Sequence, residues 1–219
     1  MEQITFSKMH GAGNDFIVIA GTLADHDFSP EQVRLLCSRK RGIGADGLLL
    51  LSAVQMPAQE SCGTVEMIFF NCDGSRAELC GNGLRCAVGF SYRYGLSEHK
   101  KILFKTDCGN LWGEYLDESS AAVQIRVNEE FKPFQLQDDL LVYKGSTGVP
   151  HAVLFVEDID SVDVRRQGAE FRYHKAFQPD GANVDFVQKM SDFSVPVPIR
   201  TYERGVEDET LACGTGAVA

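Results

Sequence analysis

Hydrophobic and polar positions alternate over short stretches, and the chain reads mainly as strands. Two of them are predicted near 3–8 and 15–20, joined by the Gly-rich turn His10-Gly11-Ala12-Gly13-Asn14-Asp15. Leu48 to Ala53 and Thr64 to Phe70 have strand character, as do stretches near 101–106, 110–116 and 121–127 with turn signals between them. A helix is predicted from Ser29-Pro30-Glu31-Gln32 to about Arg39. Serine caps it, proline takes the first helical position, and Gln32 completes a capping box. A second helix should begin near Gly81 and end at Gly95, a residue suited to a left-handed C-terminal cap. Residues 128–145 are polar and contain Pro133, and a lobe boundary is placed there, giving lobes of 1–135 and 136–219. Beyond it, strands are expected at Ala152–Val156, Val184–Gln188 and Val197–Glu203, with a mainly polar helix from Val162 to Tyr173.

One pattern occurs twice. Asn71-Cys72-Asp73-Gly74-Ser75-Arg76-Ala77-Glu78-Leu79-Cys80-Gly81-Asn82-Gly83 runs from a strand through a polar turn into Cys-Gly-x-Gly. Arg204-Gly205-Val206-Glu207-Asp208-Glu209-Thr210-Leu211-Ala212-Cys213-Gly214-Thr215-Gly216 repeats that plan. The repetition predicts two similar lobes facing each other across a cleft.

Composition narrows the function. With 44% hydrophobic and 24% charged residues, the chain has the make-up of a soluble globular protein. No apolar run approaches the roughly 18 residues that span a bilayer. Met1 to Phe6 lacks a basic region followed by an apolar run, so no signal peptide is expected. A net charge of −10 argues against nucleic acid as the main partner, because phosphate binding needs a basic surface. It leaves room for a small anionic substrate held by a few local donors. The seven cysteines are odd in number and contain no C-x-x-C pair. Neither a disulfide framework nor a structural metal site is expected, and the location is read as cytoplasmic. Cys37, Cys62, Cys72, Cys86 and Cys108 are read as small core hydrophobes.

Cys80 and Cys213 are different because each precedes Gly-x-Gly at a predicted helix start. Unpaired N–H groups and the positive end of the helix dipole bias a thiol there toward thiolate, from ~8.5 toward ~7. Glycines admit a ligand close to the backbone, and the N–H groups can hold a carboxylate. Two such units face to face can invert a carbon attached to a carboxylate. One thiolate removes the α-proton and the opposite thiol returns one to the other face, while the N–H donors stabilise the developing charge. No lysine sits in a recognisable Schiff-base motif, and no cofactor or metal is expected. A guanidinium at Arg204, on the loop leading to Cys213, suits a carboxylate. Asn14, Asn71 and Asp73 are also suitable turn residues, His151 a strand-entry histidine, and Glu203 a solvated strand end.

At these motifs the sequence resembles the diaminopimelate epimerases. The resemblance is carried by Lys8-Met9-His10-Gly11-Ala12-Gly13-Asn14-Asp15-Phe16, Asn71 to Cys86, Pro150-His151, Gly181-Ala182-Asn183-Val184-Asp185-Phe186, and Glu203 to Gly216. It implies an α/β (α+β) fold of two lobes, each a β-sheet-rich barrel around a central helix, with the active site in the cleft. It implies Cys80 and Cys213 as the acid–base pair, with His151 and Glu203 supporting proton transfer. Backbone N–H groups of Gly81, Asn82, Gly214 and Thr215 would bind the reacting carboxylate, and Asn14, Asn71, Asn183 and Arg204 the other polar groups of the substrate. The implied partner is a small-molecule amino acid, with no nucleic acid and no membrane, and a homodimer is the assembly allowed for. Val149 stands where family members commonly have Asn, and Gly47 where many have Gln. Family sequences also continue well past the second cysteine motif, so a truncated form lacking the closing strands of the second lobe is expected. Two other readings stay open. A proline racemase-like or broad-specificity amino-acid racemase would share the proton chemistry. A thiol redox or metal-binding protein would use the cysteines without turnover, but would leave Asn14, Asn71, Asn183 and Arg204 unexplained.

Overall fold

The computed structural model describes residues 3–55, 61–77, 79–137, 140–192 and 194–219. Met1 and Glu2 of the opening segment and Glu78 of the first cysteine repeat lie outside the described residues. The chain divides into two compact units, Met1–Gln124 and Ile125–Ala219.

In the first unit, β1 (Ser7–Gly11) and β2 (Asn14–Ala20) form a hairpin closed by Ala12 and Gly13. Both have positive φ, 52° and 88°, the handedness that matches the twist of the flanking strands. The turn is two residues long, so the strands extend further into the Gly-rich segment than the sequence suggests. Helix α1 (Pro30–Cys37) has the predicted cap, with Ser29 Oγ accepting from Gln32 N–H and Gln32 Oε1 accepting from Ser29 N–H. There follow β3 (Gly47–Ala53), β4 (Gly63–Asn71), β5 (Arg76–Ala77), α2 (Gly81–Arg93), β6 (Lys101–Thr106), β7 (Gly109–Tyr115) and β8 (Ala121–Val123). Among the described residues they form an eight-stranded sheet in the order β1-β2-β3-β4-β6-β7-β8, with β5 beside β4.

The unbroken run Leu48-Leu49-Leu50-Leu51 in β3 is apolar because both faces of the sheet are covered. Leu49 and Leu51, with Phe16 and Val18 of β2, pack toward Leu84, Ala87 and Val88 of α2. Leu48 and Leu50, with Ile17 and Ile19, pack toward Val33 and Cys37 of α1. Helix α2 touches β1 and β8, the two ends of the sheet, as well as β2, β3, β4 and β7. The sheet therefore wraps around it, and α2 is the axis of the unit.

The second unit contains β9 (Glu129–Gln137), β10 (Leu140–Ser146), β11 (Pro150–Val156), α3 (Val164–Arg172), a 3-10 turn at Lys175–Phe177, β12 (Asn183–Gln188), β13 (Ile199–Glu203) and β14 (Asp208–Thr210). Among the described residues the sheet order is β14-β13-β12-β11-β10-β9. Strands β11 and β12 are parallel, joined by a crossover through α3, and the other pairs are antiparallel. Asp163 caps α3 by accepting from Arg166 N–H at 3.2 Å. Ala152, Leu154, Val184, Phe186 and Phe171 form the core under the sheet. The polar stretch 128–145 supplies β9 and most of β10. Pro133 is accommodated because β9 is an edge strand.

Candidate active site

In the first unit the chemistry gathers at the start of α2. Cys80 is the N-cap residue, in extended conformation, and its side chain makes no capping hydrogen bond. Asn14, the first residue of β2, points its amide nitrogen at Cys80 Sγ, 3.6 Å away. A Cβ placed on Gly81 would meet nothing within 4 Å, so there is room beside the first helical turn. Asn82 is buried and its Oδ1 accepts from the Arg85 guanidinium. Gly11 of β1 lies against the Asn82 backbone so closely that an added Cβ would sit 2.7 Å from its carbonyl oxygen. The hairpin thus fixes both Asn14 and the first turn of α2 around Cys80.

Asn71 ends β4 and is engaged in its turn. Its backbone N–H donates to Ser75 O at 2.9 Å and its side-chain amide to Ser75 Oγ at 3.0 Å. Gly47 is closed to a larger side chain, because a Cβ there would meet the Phe69 ring at 2.6 Å and Phe70 O at 2.7 Å. The sequence reading missed the group that anchors the neighbouring loop. Asp15 accepts from Arg39 at 2.8 Å and from Lys8 at 2.6 Å, while Arg39 also reaches Asp46 at 2.8 Å. Arg39 foremost, then Lys8 and Asp46, holds the Asp15 carboxyl well below the usual carboxylate range. The run from Arg41 to Asp46 is tied to the hairpin in this way.

In the second unit, His151 of β11 and Asp185 of β12 are completely buried. His151 Nδ1 is 2.6 Å from Asp185 Oδ2, whose other oxygen accepts from Thr201 Oγ1 of β13 at 2.7 Å. His151 Nε2 is 3.0 Å from Thr215 Oγ1 and 3.3 Å from Asn183 Nδ2. Thr215 Oγ1 lies 3.3 Å from Cys213 Sγ, and Gly216 N–H donates to the same sulfur at 3.4 Å. Asn183 Oδ1 accepts from Arg204 N–H at 2.7 Å, and the Arg204 guanidinium donates to Asp180 O at 3.3 Å. Thr147 Oγ1 donates to Thr215 O at 3.2 Å, fixing the backbone between Gly214 and Gly216. Glu203, at the end of β13, is half-buried and close enough for its charge to act on Cys213.

Two sequence expectations need correction at Cys213. No regular helix follows it among the described residues. Residues 213–219 form turns in which Ala217 N–H donates to Cys213 O at 3.0 Å and Ala219 N–H to Thr215 O at 3.1 Å, bonds of helical spacing. Nor is the thiol biased toward thiolate. Burial pushes it up to about 11, and the Glu203 and Asp185 carboxylates add to the rise. The hydrogen bonds from Thr215 and Gly216 N–H work the other way but are outweighed.

Each unit therefore gathers its own set of expected residues: Asn14, Cys80, Gly81 and Asn82 in the first, and His151, Asn183, Glu203, Arg204, Cys213, Gly214 and Thr215 in the second. Asp185 and Thr201 were not singled out from sequence. The available signal was polarity alternating along a buried strand: Asn183 and Asp185 turn to one face while Val184 and Phe186 enter the core. Among the described residues, no three His, Cys, Asp or Glu side chains cluster to hold a metal ion, and no helix is long and apolar enough to cross a membrane.

Comparison with known proteins places the chain. The family model described as diaminopimelate epimerase matches residues 6–129 and 143–219. The diaminopimelate epimerase of Aquifex aeolicus is 42% identical over 230 residues, covering 98% of this chain and 78% of the relative. That of Methanocella arvoryzae is 39% identical over 241 residues, covering 100% and 81%. Among solved structures, a phenazine biosynthesis protein of the PhzF family from Bacillus anthracis superposes with a TM-score of 0.64 at 16% identity, covering 98% of this chain and 76% of that one. A hydroxyproline epimerase from Agrobacterium vitis gives 0.60 at 15% identity, covering 97% and 73%. These two likenesses show the two-lobed α/β fold, and the sequence matches show the family: the chain belongs to the diaminopimelate epimerases.

Proposed function

We propose that the protein is an isomerase that epimerises LL-2,6-diaminopimelate to the meso form by two-base proton transfer, with Cys80 and Cys213 as the bases. The observation that carries this reading is the family match over residues 6–129 and 143–219, which includes both Cys-Gly-x-Gly motifs. One thiolate removes the α-proton and the other thiol delivers a proton to the opposite face. Backbone N–H groups of Gly81, Asn82, Gly214 and Thr215 receive the reacting carboxylate. Such donors act where charge develops, so they stabilise the transition state more than the ground state. Asn14, Asn71, Asn183 and Arg204 take the remaining polar groups of the substrate. His151 and Glu203 support the thiols. Support for Cys80 comes from its place at the N-cap beside Asn14, and for Cys213 from its contact with Thr215 and Gly216 N–H. A mechanism that needs two reduced thiols fits a reducing cytoplasm.

The test is incubation with LL-diaminopimelate in D₂O, following α-deuterium by NMR. Deuterium is expected in the meso product, and neither Cys80→Ala nor Cys213→Ala should produce it. Epimerisation by either single variant at a rate near that of the parent would sink the two-base reading.

A further inference from the structure

Cys213 poses a chemical problem: a half-buried thiol near two carboxylates must lose a proton at neutral pH. The groups facing it are the Thr215 hydroxyl, Gly216 N–H, Glu203 from the end of β13 and Asp185 from β12. The negative charge of the two carboxylates raises the proton affinity of the thiol, and the hydroxyl connects it to the imidazole of His151.

The direction of each hydrogen bond follows from its partners. Asn183 Oδ1 accepts from Arg204 N–H, which turns the Nδ2 of that amide toward His151 Nε2. An amide nitrogen only donates, so Nε2 carries a lone pair in the resting ring. The ring proton is then on Nδ1, where the Asp185 carboxylate receives it at 2.6 Å. Asp185 is committed to accepting, because its other oxygen receives the Thr201 hydroxyl. With Nε2 an acceptor, the Thr215 hydroxyl donates to it at 3.0 Å and leaves its own lone pairs for the Cys213 S–H at 3.3 Å. All four groups lie within the second unit.

We propose that the Thr215 side chain is a proton bridge between Cys213 and His151, and that Asp185 is the positioning residue that sets the bridge's direction. In the forward step the Cys213 S–H bond breaks and its proton passes to Thr215 Oγ1. The original hydroxyl proton of Thr215 passes to His151 Nε2. The products are a thiolate at Cys213 and an imidazolium at His151, whose Nδ1–H stays bonded to the Asp185 carboxylate. Charge is conserved and no further reactant is needed. The high proton affinity that burial gives Cys213 is what makes such a bridge useful. This rests on the epimerase reading for its purpose, but the bridge is testable without substrate. The backbone N–H of Thr215 keeps its own proposed role, and only the hydroxyl is at issue.

The experiment measures iodoacetamide alkylation of Cys213 against pH, by peptide mass spectrometry, in the parent, Thr215→Val and Thr215→Ser, and reads the His151 tautomer in Asp185→Asn by histidine ¹⁵N NMR. Losing one hydrogen bond to the thiolate and its route to a base is worth about one pKa unit, or roughly tenfold in thiolate at neutral pH. Thr215→Val is therefore expected to slow alkylation about tenfold near pH 7.5 and move its profile to higher pH. Thr215→Ser keeps the hydroxyl and should stay within about twofold of the parent. Asp185→Asn withdraws the carboxylate that receives the Nδ1 proton and should lose the Nδ1-protonated tautomer of His151; a variant that keeps the parental tautomer removes Asp185 from the bridge. Histidine ¹⁵N NMR of the unsubstituted chain should show Nδ1 protonated and Nε2 bare at His151, a readout that needs no variant to fold. A profile for Thr215→Val that coincides with the parent's, or an Nε2–H tautomer at rest, overturns the proposal. Deuterium exchange measured on the same samples separates the two readings: alkylation shifts without epimerisation in the parent uphold the bridge and reject the epimerase.

Discussion

Replacing Gly11 by alanine is expected to damage catalysis more than stability. The added Cβ would stand 2.7 Å from the Asn82 carbonyl oxygen, 3.2 Å from its Cα and 3.3 Å from its carbonyl carbon. Carbon–oxygen contacts settle at about 3.3–3.6 Å, so β1 or the first turn of α2 must yield by roughly 0.6–0.9 Å. The cost of such overpacking is about 1–3 kcal/mol. For a unit of this size that lowers the melting temperature by about 5–10 °C. The same displacement moves Cys80 and its N–H donors relative to any carboxylate they hold. Misplacement of about 1 Å can cost on the order of a hundredfold in rate, so kcat is expected to fall about 10–100-fold. Gly95→Ala is the control. Gly95 adopts a left-handed backbone, φ 76°, that alanine strains, but a Cβ there meets nothing within 4 Å and lies beyond the other end of α2. It should lose a comparable amount of stability and keep its rate. The assay pairs α-deuterium exchange with calorimetric melting. A Gly11→Ala protein with parental kcat, or with no greater rate loss than Gly95→Ala, would refute the argument that this contact positions the thiol.

Three more outcomes follow from the geometry. Burial raises the Cys37 thiol to about 11 and that of Cys86 to about 12. Folded-state values above the unfolded value near 9 mean that stability is fully present below pH 9 and drains away as pH climbs toward 12. Denaturant unfolding between pH 8 and 11 should show that decline, and Cys86→Ala should flatten it; an equal slope in the variant would count against this cause. Asp15→Ala should release the 41–46 loop at a cost of about 1–2 kcal/mol, discounted because Arg39 is largely exposed. Proteolysis at Arg41 would report it, and unchanged cleavage would be the contrary result. Val149→Asn is expected to raise kcat/KM for diaminopimelate relative to glutamate, since a polar partner for the distal end is left unpaired by an analogue that lacks the distal amine; an unchanged ratio would remove Val149 from the specificity account.

Much of this was legible in residues whose local physics decides their conformation. The Ser29–Gln32 capping box, the Gly-rich hairpin turn and the start of α2 after Cys80 all depend on neighbours within a few positions. The strands missed at 129–137 and 208–210 are polar because they lie at the two edges of the sheet, where burial does not impose alternation. Cys213 misled for another reason. A helix-start argument accounts for the dipole but not for the desolvation and nearby carboxylates that a folded chain supplies. His151 read as a strand-entry histidine from the residues alone, and only the family resemblance gave it a role, because its partners stand 32, 34 and 64 positions away.

The parallel pairing of β11 with β12 also orders the assembly of the second unit in time. A crossover through α3 has to close before Asn183 and Asp185 come alongside His151, and such long-range closures are slow compared with hairpins. Strands β9, β10 and β11 can form first as a meander, with the imidazole of His151 still in water. Docking of β12 buries the ring, supplies its carboxylate and brings Phe186 against Phe171. A chain caught before that step carries Cys213 as an ordinary thiol, so reactivity at this cysteine reports on how far folding has gone.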